Sequence, residues 1–315
     1  MNRILVLGDV MLDKHLRGEC TRISPEAPIP VIDLIADGVS ISLGAAANVA
    51  AHVVNAGIEC VLAYKSYIDP PKENSHEVLK TMCSEKGILC QPLEFGNNIK
   101  HTVTIKERIW AGSQQICRVD REDRSKPDKQ TEVNWIKELE RIIEKFNIST
   151  VIFSDYDKGT LTDPIIQNIA HYCFHKGIPT ILDPKRPLFF RLKKLTIIKP
   201  NAREVKQTNH DLFHLSDILG ATYLVNTLGK DGMVVYQFGE KQFYYPSQAN
   251  QEEAIDVCGC GDALAGIFGI MLYFGASIEE AVEAGSAGAA INIRYRGCYV
   301  PTPNDMKNIM PKYIL

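Results

Sequence analysis

The stretch "DVCGCGDALAG", residues 256–266, sets three glycines, two cysteines and two aspartates in eleven positions, and an apolar run over 263–276 follows at once. Glycines ahead of such a run let backbone approach a ligand closely. The free N–H groups of a helix N-terminus, reinforced by the helix dipole, form an anion site there. The spacing predicts a helix starting near Asp262, with the amides of Gly259, Cys260 and Gly261 facing the anion. A carboxylate beside that site supplies what phosphoryl transfer to a hydroxyl needs: a base for the proton and donors for the moving charge. The same aspartate equally suits a helix cap. A zinc site on Cys258 and Cys260 lacks ligands, because no histidine or second cysteine pair lies near.

The rest of the chain bounds the choice. It has 315 residues, 45% hydrophobic and 23% charged, with a formal net charge of −3, so nothing in the bulk charge points to nucleic acid or an anionic membrane. Of nine cysteines, Cys60, Cys90, Cys117 and Cys173 stand singly, and no C-x-x-C occurs. That usage implies reduced thiols in a cytoplasmic protein. The N-terminus reads as neither signal peptide nor anchor. The longest run without charge or amide, 263–277, is too short to span a bilayer.

Outward from the glycine turn, strand-like and helix-like stretches alternate. "TVIFSDY" (150–156), "IPTILDPK" (178–185), "LTIIKPN" (195–201) and "TYLVNT" (222–227) read as strands; "DPIIQNIAHYCFHKG" (163–177) is an amphipathic helix stopped by Gly177. This order implies a parallel sheet with helices on both faces. The strands end in Asp155, Asp183, Asn201 and Thr227, and such sheets bind ligands at their carboxyl edges. Segments 13–33 and 99–123 break the alternation with β-branched patterns and form a small accessory sheet. No linker or repeat marks a second domain.

Three further motifs join the edge. "NTLGKDG" (226–232) offers the Thr227 hydroxyl and open backbone at Gly229 and Gly232 to a polyphosphate, or is a plain hairpin turn. "KPNAREV" (199–205) spaces Asn201 and Glu204 as hard ligands for Mg²⁺ through its waters, or as a capping box. Near the N-terminus stand Asp9 and Asp13, then the stretch 42–57, a helix preceded by Gly44 with Asn48 in its first turns.

Taken in this order, "GAAANVA", "NARE", "TLGKDG" and "DVCGCGDALAG" resemble the ribokinase-like (PfkB) carbohydrate kinases over essentially the whole chain. The resemblance implies an α/β, ribokinase-like three-layer sandwich, a mostly parallel central sheet flanked by helices, with a small β-sheet lid. It implies one kinase domain over 1–315 with lid strands from about 13–33 and 99–123. It also implies ATP as co-substrate, Mg²⁺, and a monovalent cation such as K⁺ near Asp256. Asp262 matches the catalytic base, and Gly259, Cys260 and Gly261 the anion hole. Asp13, Gly44 and Asn48 match sugar-binding positions; Asn201 and Glu204 match the Mg²⁺–phosphate motif, and Thr227, Gly229 and Gly232 the nucleotide loop. Cys258, Cys260, Ala263 and Ala45 depart from the usual pattern, Ala45 standing where the family has the second glycine of G-G-A-A-N.

"GDVMLDKHLRGECTRISPEAPIPV", "SQQICRVDRED", "SDYDKG" and "LDPKR" are similar to a narrower branch, the heptose kinases of bacterial lipopolysaccharide synthesis. That branch implies phosphorylation of the anomeric hydroxyl of D-glycero-D-manno-heptose 7-phosphate. Its frequent nucleotidyltransferase partner domain, with H-x-G-H, has no counterpart in the sequence. A phosphorylated acceptor needs cations; Lys158, Lys185, Arg108 and Arg118 are the candidates, with Asp155 beside them. The rivals are another acceptor, such as ribose, fructose or a nucleoside, and a silent ligand-binding protein. Lid strands with unburied apolar faces imply a homodimer joined through the lids. A thiol at a helix N-terminus favours its thiolate, so Cys260 is expected to be the reagent-sensitive cysteine, with Cys258 turned into the core.

Overall fold

The computed structural model describes residues 2–68, 74–95, 102–187 and 189–314. Residues 99–101 of the second lid segment lie outside this set. Strands β1 (Arg3–Gly8), β2 (Val10–Ile23) and β3 (Pro30–Ala45) lead into helix α1 (Ala46–Asn55), then β4 (Cys60–Lys65), α2 (Ser75–Glu85) and β5 (Leu89–Leu93). After β6 (Thr104–Ala111) and β7 (Gln114–Arg121) come α3 (Lys129–Lys145), β8 (Ile148–Ser154), α4 (Asp163–Lys176), β9 (Thr180–Asp183) and β10 (Lys193–Ile198). The chain continues through α5 (Ala202–Gln207), α6 (Leu212–Ile218), β11 (Gly220–Thr227), β12 (Met233–Gln237) and β13 (Glu240–Tyr245). It ends in α7 (Cys260–Tyr273), α8 (Ile278–Asn292) and α9 (Pro303–Ile309).

The main sheet runs β13-β12-β11-β10-β9-β8-β1-β4-β5. It is parallel except at one edge, where β11, β12 and β13 pair antiparallel. Period-two alternation explains how β1, between β8 and β4, is buried on both faces. Ile4 and Val6 enter the apolar layer containing α1, α7 and α8, while Leu5 and Leu7 enter the opposite layer with α3 and α4. All four are fully buried. Burying such a side chain is worth roughly 1.5–3 kcal/mol.

Local signals close the helices where the sequence places them. Thr162 accepts the Ile165 N–H at the start of α4, and Gly177 ends it at φ 69°. Helix α7 is apolar all round and buried, packed between α1, α8 and the sheet. No helix among the described residues is long and apolar enough to cross a membrane.

The second sheet, β3-β2-β6-β7, is the lid. Two boundaries differ from expectation. Strand β3 continues through Ala45, so within 42–57 only Ala46–Asn55 is helix, because β2 pairs with β3 up to Val10↔Ala45. Helix α7 begins at Cys260, not near Asp262, because Gly259 takes φ 78° and turns the chain two residues earlier.

Candidate active site

The carboxyl ends of β8, β9, β10 and β11 line one wall of a cavity of about 290 Å³. Asp155, Asp183, Lys199, Asn201 and Thr227 face it from these strands, and Cys260 and Gly261 from the N-terminus of α7. Glu204, Lys185, Gly229 and Gly232 complete the polar rim, while Leu264, Ala289 and Ile293 form an apolar side. The sheet edge thus gathers the motifs read separately in the sequence. Asn201 and Thr227 also form a parallel bridge, so the motifs at 199–205 and 226–232 are registered on each other.

Asp262 occupies the third position of α7 and is 2% exposed. Its side chain does not cap the helix. Asn48 Nδ2 donates to one oxygen at 3.0 Å and the Tyr156 hydroxyl to the other at 2.6 Å. Burial pushes the carboxyl from its ordinary 3.8 up to about 6, restrained by these two hydrogen bonds and aided by the nearby charges of Asp183 and Asp13. At neutral pH it is a carboxylate with a proton affinity well above that of a free aspartate. The Cys260 N–H makes a long 3.4 Å turn bond to the Val257 carbonyl. The first-turn amides that follow have no partner inside a helix that begins here.

Two small residues set the approach of α1 to this point. A Cβ on Gly44 would meet Asp13 Oδ2 at 2.6 Å, and one on Gly259 would meet Asn48 Nδ2 at 3.1 Å. Ala45 takes φ 52°, ψ −131°, a backbone open to glycine and costly for alanine.

On the lid side, Asp13 is buried and ion-paired with Arg108. Arg108 also reaches Cys258 Sγ at 3.4 Å. Lys185 bonds Glu204 Oε1 at 3.2 Å and joins the cavity wall. The other two cations lie elsewhere. Lys158 turns to Glu122 at 2.7 Å, because its loop is fixed by three backbone N–H groups, those of Tyr156, Lys158 and Thr160, donating to Asp9. Arg118 is on the exposed strand β7, forked onto Asp120. Asp155 faces the cavity while its carboxylate pairs with Arg186 at 2.7 Å. Burial holds that carboxyl at about 6 even so.

Asn201 and Glu204 form a complete capping box: the Asn201 side chain accepts the Glu204 N–H, and Glu204 Oε2 the Asn201 N–H, both at 2.9 Å. With Asp183 they make an all-oxygen donor set on the cavity wall, the chemistry Mg²⁺ takes through its waters. Asp256 latches two loops, accepting the Cys258 and Gly297 N–H groups.

The thiols reverse the expectation. Cys260 turns to Asn292 Oδ1 at 3.7 Å, and burial pushes its thiol up to about 12. Cys258 faces Arg108 and Cys298 instead of the core. Tyr156, Lys199 and Cys298 were not singled out in the sequence. Tyr156 directly follows the strand-end Asp155 and Lys199 stands two residues before Asn201, so both lay within reach of that argument. Cys298 had no signal at all.

The chain is 31% identical over 317 residues to the bifunctional protein HldE of a Nitratiruptor strain, covering 97% of this chain and 64% of that protein. It is 31% identical over 303 residues to the HldE protein of Gluconobacter oxydans, covering 92% and 60%. It therefore spans less than two thirds of the length of these relatives. In fold it is similar to phosphofructokinase-2 from Escherichia coli in complex with potassium, with a TM-score of 0.74, 15% identity and 98% of each chain covered. Arabidopsis thaliana ribokinase complexed with ribose and ATP follows at 0.69 and 16%, covering 98% and 99%. The model of the pfkB family carbohydrate kinases matches residues 1–305, and the chain belongs to that family of ATP-dependent phosphotransferases.

Proposed function

We propose that the protein transfers the γ-phosphate of ATP to the anomeric C1 hydroxyl of D-glycero-D-manno-heptose 7-phosphate, in the cytoplasm, as a dimer paired through its lids. The observation that carries the kinase chemistry is Asp262, buried at the first turn of α7 and held by Asn48 and Tyr156 beside the sheet-edge cavity. The heptose acceptor is supported by the similarity to the HldE proteins over nearly the whole chain.

In this reading ATP occupies the cavity between Thr227, Gly229, Gly232 and α8. Lys185, Lys199 and the first-turn amides of α7 stabilise charge on the moving phosphoryl group. Mg²⁺, when bound near Asn201 and Glu204, neutralises phosphate oxygens. Asp256, with lone pairs left beyond its two N–H partners, would serve a monovalent cation. Asp13, Gly44 and Asn48 hold sugar hydroxyls, and Arg108 is the cation nearest them on the lid side. Asp262 removes the proton of the acceptor hydroxyl as its oxygen attacks in line. Positioning and fixed charge account for most of the acceleration.

The deciding experiment measures ADP formation with heptose 7-phosphate against fructose 6-phosphate and the unphosphorylated sugars. A strong preference for heptose 7-phosphate is expected. A preference for another acceptor overturns the heptose assignment, and no turnover with any acceptor overturns the kinase reading.

A further inference from the structure

Three groups from separate parts of the chain, Arg108, Cys258 and Cys298, meet beside Asp13. Cys258 and Cys298 bring their sulfurs to 3.4 Å. Cys298 donates to Asp13 Oδ2 at 3.1 Å. Arg108 bonds both Asp13 and Cys258, so negative charge on the Cys258 sulfur has a guanidinium partner. Both residues are partly exposed. The ligand atoms of Asp13, Cys258 and Cys298 also lie close enough together to hold a metal ion. Arg108, bonded to two of the three, places a fixed positive charge there, which favours thiol oxidation over cation capture.

We infer that Cys258 and Cys298 are a modification site, oxidised by a hydroperoxide to a disulfide that disables the acceptor side of the active site. The Cys258 thiolate attacks the distal oxygen of the hydroperoxide. The O–O bond breaks, an alcohol or water leaves, and Cys258 becomes a sulfenic acid. The Cys298 sulfur then attacks Cys258, the S–O bond breaks, and the hydroxide departs as water with the Cys298 proton, for which Asp13 is the adjacent acceptor. In total two thiols lose two electrons and two protons, and the peroxide is reduced. The sulfurs need to approach by roughly 1.4 Å to reach a bond of about 2.05 Å. The irregular backbone around Gly259 and Gly297, both at positive φ, is where that movement fits.

The consequence follows from the hydrogen bonds. Oxidation removes the Cys298 donor from Asp13 and alters the sulfur acceptor that Arg108 bonds, and it ties the turn before α7 to the loop after α8. The cavity walls proposed for ATP contain neither cysteine. Acceptor turnover is therefore lost while nucleotide binding persists. The effect on turnover rests on the proposed role of Asp13; the cross-link does not.

The test treats the full chain with hydrogen peroxide and maps its peptides without reduction. The expected result is a 258–298 cross-linked peptide, loss of turnover restored by dithiothreitol, and unchanged ADP binding by calorimetry. In Cys298→Ser the oxidation stops at the sulfenic acid, which dimedone labels at Cys258. Free thiols at 258 and 298 while the exposed Cys20 and Cys117 are oxidised overturn the inference. So does a cross-link that leaves turnover intact, or stoichiometric zinc retained by the reduced protein and lost in Cys298→Ser. If no acceptor is turned over, the cross-link map still decides the pair while the kinase proposal fails separately.

Discussion

Asp262 keeps its charge against burial with two hydrogen bonds, and that balance makes separable predictions. Folding raises its carboxyl from 3.8 to about 6, so the folded chain holds the proton more tightly than the unfolded one. The stabilising contribution is complete below 3.8 and is lost as pH rises through about 6. At neutral pH the buried charge costs on the order of 3 kcal/mol. Asp262→Asn should therefore keep or raise the melting temperature while turnover falls by roughly 10²–10⁴. Near-normal kcat in this variant would leave the residue no role as base. In the unaltered enzyme kcat should fall as pH drops through about 6, where the base takes up its proton. Tyr156→Phe deletes a bond that favours the carboxylate, so its acid limb should move to higher pH with little change in KM for ATP. An unmoved limb would mean that another group sets it. Ala45 poses the converse case, strain without chemistry: at φ 52° Ala45→Gly should gain about 1 kcal/mol in urea unfolding. A loss would show that the alanine methyl contributes packing that outweighs its backbone strain.

At the scale of elements, the phosphate roles proposed above follow from where strands end. Lys185 follows β9 and bonds Glu204 in the capping box of α5, on the cavity wall. Lys185→Met should therefore raise KM for ATP far more than for the sugar phosphate; the opposite split would move this lysine to the acceptor. The parallel strands, the glycine turn and the loops at the strand ends were legible because their signals are local: apolar runs, a polar residue at each strand end, and glycines at the turns. The lid-to-helix junction was not, because "SLGAAANVAAHVV" has helical composition throughout, and only pairing with β2 holds 42–45 extended. Lys158 also follows a strand end, yet it faces Glu122. What turns it is Asp9, more than 140 residues away in the chain, accepting the N–H groups of its loop. The thiols failed for the same reason. Local reasoning put a helix dipole next to Cys260, but burial beside Asn292 outweighs it, and the groups that matter to Cys258 come from the lid and from the loop after α8.

The whole molecule places a thin four-stranded sheet beside a large, well-buried α/β body, and that contrast carries the last prediction. The lid strands leave Leu34, Ile35, Val39, Ile41, Ile116 and Val119 exposed by 38–52%. Strands β3 and β7 each have an unpaired edge among the described residues. One sheet layer with no helix layer of its own cannot bury apolar side chains on both faces, and long open edges invite pairing with another chain. A second copy of the same sheet meets both needs through one two-fold contact. It would also hold the strands that carry Asp13 and Arg108 against the site. The chain should therefore sediment as a dimer at micromolar concentration. Val39→Asp, which sets a charge in the exposed patch at a position outside the cavity lining, should shift it toward monomer. Turnover should fall with the dimer fraction, through KM for the acceptor more than for ATP. A monomeric unaltered chain with full activity would refute the pairing, and a dimer unaffected by Val39→Asp would move the contact to another face.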